Sequence, residues 1–84
     1  MSFFNVKLTK SQTKQHQDVI LSLGRRIVEI RKKRKMTQKD LAYSIGMEIP
    51  NLRQIEKGKR NVTLKTILLI AEGLDIDFRK LLDN

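Results

Sequence analysis

Cysteine is absent from these 84 residues, acids number 9 against 18 lysines and arginines, and histidine occurs once. Without thiols, neither a disulfide framework nor a zinc cage built on thiolates is possible, and a reducing cytoplasm is the expected setting. No apolar run approaches the roughly 20 residues that span a bilayer, and the amino terminus lacks the basic-then-apolar order of a signal peptide, so no membrane partner is expected. No glycine-rich phosphate loop and no pair of acids at helical spacing occurs, and His16 lies in a polar stretch where it reads as a surface residue. The sequence therefore predicts no enzyme, no cofactor and no metal site. What the shortage of acids leaves is a formal charge of +9, which points to a polyanion, nucleic acid first, as partner.

The length allows one domain with a single modest core. Residues 1–16 differ in kind from the rest, and 17–84 read as the folded domain. In the first stretch Phe4, Val6 and Leu8 alternate with Asn5, Lys7 and Thr9, a period of two that suits a strand, before the chain becomes a run of Lys, Gln, Ser and Thr. Two readings stand side by side: a frayed basic arm, or an edge strand that pairs with its symmetry mate in a dimer.

From Asp18 the period turns helical, with Ile20, Leu23, Ile27 and Ile30 on one stripe and the cationic run 31–35 at the end, where the helix dipole favours positive charge. Thr37 and Asp40 form a capping box for a second helix, Met36 and Leu41 a hydrophobic staple, and Gly46 the left-handed stop. A third helix spans roughly 49–57, with Leu52 and Ile55 inward and Gly58 as its stop; Pro50 falls in the first turn, where no intrahelical partner awaits its missing N–H. Thr63 caps a fourth helix whose apolar stripe is Leu64, Ile67, Leu68, Ile70 and Ala71, and Asp77 caps a short fifth. Val62 with Ile67, and Ile76 with Leu81, complete two further staples.

Counted from Gln38, Ala42 is fifth, Gly46 ninth, Leu52 fifteenth and Ile55 eighteenth. A small residue where two helices cross, a glycine where the turn needs positive φ, and two aliphatics that seat the second helix make the helix-turn-helix pattern.

The strings "LGRRIVEIRKKRKMTQKDLA" and "IEKGKRNVTLKTILLIAEGLDI" resemble the prokaryotic Cro/CI-type (XRE) helix-turn-helix regulators, over about Leu23 to Leu82. The resemblance implies an all-α, compact five-helix bundle of the lambda-repressor-like type that binds double-stranded operator DNA as a homodimer, its third helix in the major groove. It further implies that Gln38 touches a phosphate and braces the reading helix, and that Arg31 and Glu56 join helices 1 and 3 by a structural ion pair. Base reading falls to Ile49, Asn51, Arg53 and Gln54. Many members carry Ser, Thr, Gln or Arg in that first turn, whereas Glu48 and Pro50 here are read as shaping the helix start, and Ile49 can pack on thymine methyl groups. Phosphate contacts fall to Gln38, Lys39, Lys57, Lys59, Arg60 and Asn61.

Three functions fit these residues. The first is a dimeric transcriptional regulator, with repression the expected direction. The second is an antitoxin partnered by a toxin, or a restriction-modification controller, on the same DNA chemistry. The third is a protein-interaction module that keeps the fold without specific DNA binding.

Overall fold

A computed structural model describes residues 9–82. Five helices follow one another: α1 (Lys10–Lys33), α2 (Gln38–Ser44), α3 (Ile49–Glu56), α4 (Leu64–Leu74) and α5 (Arg79–Leu82). Among the described residues there is no strand, and the alternation expected over residues 4–8 lies outside them. No helix among them is long and apolar enough to cross a membrane.

The first helix begins well before Asp18. Residues 10–16, expected to belong to the arm, are its opening turns, because Thr9 and Gln12 form a capping box: the Gln12 amide donates to Thr9 Oγ1 (3.1 Å) and the Thr9 amide to Gln12 Oε1 (3.0 Å). Two otherwise orphaned amides are thus satisfied on a segment with no apolar face of its own. At about 1.5 Å per residue the 24-residue helix is about 36 Å long. That exceeds the 25 and 22 Å widths of the molecule, and residues 10–19 are exposed.

The remaining caps follow the sequence closely. Thr37 Oγ1 accepts from the Asp40 amide (3.0 Å) while Asp40 Oδ2 accepts from the Thr37 amide (2.8 Å). That backbone bond, followed by the bond from the Thr37 hydroxyl side, holds the Asp40 carboxyl below its ordinary pKa. Thr63 Oγ1 accepts from the Thr66 amide (3.2 Å), and Asp77 accepts from both the guanidinium and the backbone amide of Arg79 ahead of α5. The guanidinium first, and then the amide, hold the Asp77 carboxyl well below the usual carboxylate range.

The core is aliphatic. Leu23 and Ile27 of α1, Leu41 and Ala42 of α2, Leu52 and Ile55 of α3, and Ile70, Ala71 and Leu74 of α4 are buried together, closed by Leu81 of α5. Each fully buried Leu or Ile contributes roughly 2 kcal/mol relative to exposure. Met36, Val62, Ile67 and Ile76, expected in staples, are partly buried against this cluster. The apolar stripe expected on α4 is divided: Ile67, Ile70 and Ala71 turn inward, but Leu64 and Leu68 are 62% and 45% exposed. An 11-residue helix that is apolar nearly all round cannot bury every side against one small core.

Candidate nucleic-acid interface

The sharp turn between α2 and α3 is a Schellman motif. The Met47 amide donates to Ala42 O (2.9 Å) and the Gly46 amide to Tyr43 O (3.3 Å), with Gly46 at φ 65°. α3 then starts at Ile49 from an N-cap, Glu48, that makes no side-chain capping bond, with Pro50 in the first turn. It ends in a second Schellman turn, with Gly58 at φ 70° and the Lys59 amide donating to Gln54 O (3.0 Å).

One carboxylate fixes the position of α3. Arg31 of α1 forks onto Glu56, Nε to Oε2 at 2.9 Å and Nη2 to Oε1 at 3.0 Å, while its Nη1 donates to the Met36 carbonyl (2.9 Å). Gln38, the first residue of α2, donates Nε2 to the same Glu56 Oε1 at 2.8 Å. Arg53 Nε approaches Gln38 Oε1 at 3.5 Å. The paired side chains are only 9% and 4% exposed, so two charges taken from water find each other with bidentate geometry and with further hydrogen bonds on both partners. Three helices meet at this one group.

A second fixing point was not expected from the sequence. Gly24 of α1 faces the end of α3 so closely that a Cβ there would stand 2.4 Å from the Glu56 carbonyl oxygen and 2.8 Å from that of Ile55. Only a residue without a side chain lets the two backbones approach this far.

Around this mount the site residues separate into groups. Lys39, Lys57, Lys59, Arg60 and Asn61 are all exposed, and Arg53 is exposed with them. Asn51 and Gln54 are half-buried; Asn51 Oδ1 accepts from Arg60 Nη1 at 2.7 Å, so a residue expected to read bases holds one expected to touch phosphate. Ile49, expected to face outward, is partly buried against the core instead. Its place in the first turn of α3 lets it seat that helix start beside Met47, which packs on the same cluster. Tyr43, which the sequence did not single out, is 87% exposed and lies one turn from Lys39 on the outer face of α2.

A short helix held by a buried ion pair, preceded by a glycine turn and followed by a cationic loop, is the arrangement of a helix-turn-helix domain. The helix-turn-helix family profile matches residues 27–81, and the chain belongs to that family, in its Cro/CI (XRE) branch. The chain is 35% identical to the restriction-modification controller protein C.AhdI from Aeromonas hydrophila, covering 74% of this chain and 94% of that one with a TM-score of 0.72. It is 33% identical to the controller C.Esp1396I, solved as a tetramer with its natural 35 base-pair operator, covering 76% and 88% with a TM-score of 0.71. A curated relative, the propionyl-CoA carboxylase regulator of Cereibacter sphaeroides, is 34% identical over 61 residues, 73% of this chain. The chain spans 13% of that relative's length.

Proposed function

We propose that this protein is a dimeric, sequence-specific regulator of transcription, a repressor acting in the prokaryotic cytoplasm, that reads a roughly palindromic operator through two copies of α3 about 34 Å apart in successive major grooves. The carrying observation is the clamp on Glu56. By tying the last turn of α3 to Arg31 and Gln38 through Glu56, it leaves the exposed Arg53 and the half-buried Asn51 and Gln54 of the same helix as base readers. Gln38, Lys39, Lys57, Lys59, Arg60 and Asn61 serve as backbone contacts that fix register without carrying sequence information. Ile49, turned partly to the core, contributes to base reading at most through the part of its side chain that remains accessible. The work of such a regulator is binding and needs no catalytic group.

A second reading shares the chemistry and narrows the role. Because two controllers of restriction-modification systems match along nearly their whole lengths, control of such an operon is favoured over the antitoxin reading, which requires a toxin as a further partner.

A fluorescence-anisotropy titration against the duplex upstream of its own gene, and against a scrambled duplex, tests the proposal. Binding at least about a thousandfold tighter to the first supports it. Arg53→Ala or Gln54→Ala should then cost about 1–3 kcal/mol and relax preference at one base position. Equal, weak binding to both duplexes would leave only a basic face that attracts any DNA.

A further inference from the structure

The opening turns of α1 do nothing for the core. Residues 10–19 are exposed throughout, and their helicity rests on the Thr9–Gln12 capping box and on continuity with the packed part of α1. Their placement is specific nonetheless. Leu21, where the extension meets the bundle, lies against the loop that follows α3: a Cβ on Gly58 would stand 2.6 Å from Leu21 Cδ2 and 3.0 Å from its Cα. Gly58 sits between Lys57 and Lys59, with Arg60 next.

At about 100° per residue, Gln17, Lys14 and Lys10 fall within about 40° of the direction of Leu21 around the helix axis. They make one stripe that starts at the cationic loop and runs outward, Lys14 about 10 Å and Lys10 about 16 Å beyond Leu21. Between residues 10 and 20 the sole acid is Asp18.

The geometry points to this stripe as a second phosphate-contacting surface: Lys10 and Lys14 carry the contact of the 57–60 loop with the DNA backbone onward, to phosphates flanking the half-site that α3 reads. The inference rests on the proposed DNA binding. Charge complementarity selects the occupant, because a lysine-bearing polar stripe suits a polyanion and repels a second copy of itself. Continuity with the loop selects the position.

The test compares the full chain with K10Q/K14Q, K10R/K14R and K59Q/R60Q on a mixed-sequence duplex of about 30 base pairs, by anisotropy over a salt series. Glutamine is close to lysine in helix propensity, so the helix itself is preserved; circular dichroism checks this. K10Q/K14Q should bind more weakly, equally on any sequence, with the salt slope shallower by about 0.9 for each lysine, and K10R/K14R should keep the slope of the parent. A parental slope in K10Q/K14Q beside a shallower one in K59Q/R60Q overturns the inference while DNA binding through the loop stands. A changed sedimentation mass for K10Q/K14Q at an unchanged slope overturns it in favour of self-association. No binding by the parent chain overturns the DNA-binding reading itself, and the inference with it.

Discussion

Gly24 and Gly46 are required for opposite reasons, and the difference is measurable. Around Gly46 nothing stands within 4 Å of an added Cβ, but φ is 65°; around Gly24 the backbone needs no positive φ, but the carbonyls of Ile55 and Glu56 occupy the space. Gly46→Ala should therefore cost about 1 kcal/mol, the strain of a left-handed alanine. Gly24→Ala should cost about 3 kcal/mol, because backbone cannot step aside as a flexible side chain can. Urea denaturation of the two variants ranks them, and a Gly24→Ala protein as stable as the parent would mean that α1 does not press on α3. Gly46 was readable from its place at a helix stop. Gly24 was not, because within "LSLGRRIV" a glycine only weakens a helix, and its reason lies on another element far along the chain.

Among helices, the same contrast of local and distant causes recurs. α1, α2, α3 and α4 all end with a left-handed residue, and the amide of the next residue reaches back five positions: Met36 to Arg31, Met47 to Ala42, Lys59 to Gln54 and Ile76 to Ala71. Gly46 and Gly58 announced two of these stops. Lys35 and Asp75, both at φ 57°, did not, since non-glycine residues seldom take that conformation. The early start of α1 was legible in Thr9 and Gln12, three residues apart, but the alternation before it and the polar run after it drew the reading toward an extended arm. The Arg31–Glu56 pair and the bracing of α3 by Gln38 both came from family resemblance, whereas their convergence on one carboxylate, with Gln38 Nε2 donating to Glu56 Oε1, is visible only in three dimensions. Its energetics can be tested between elements. Glu56→Ala strands a buried guanidinium and should cost about 3–5 kcal/mol in thermal or chemical unfolding. The double variant Arg31→Met, Glu56→Leu should recover most of that stability, because an apolar pair carries no desolvation penalty. DNA affinity should not recover with it, since Gln38 loses its acceptor. Full recovery of both would make the pair a packing device with no part in placing α2.

For the whole molecule, the excess of base over acid was the first signal and remains the broadest. If each protomer neutralises about five phosphates, the logarithm of affinity should fall against the logarithm of salt with a slope of about −4.5, and a dimer on its operator should show about twice that. Isothermal titration or anisotropy at several ionic strengths measures it, and a slope near zero would separate the charge from the binding. The bihelical spacing from Gln38 to Ile55 placed α2, the glycine turn and α3 where the structure has them. It could not divide the apolar residues of α4 between core and surface, nor turn Ile49 inward, because both depend on how much core the packed parts of the five helices can enclose.

The clamp and the proposed reading surface use different residues of α3, alternating along the same turns. Leu52, Ile55 and Glu56 are buried and seat the helix, while Arg53 is exposed and Asn51 and Gln54 keep part of their surface free. On the proposed reading, stability and operator choice are therefore written in separate letters of one eight-residue word. Such a helix can change its preferred sequence through the second set alone, so a lineage can diverge toward new operators without passing through an unfolded ancestor.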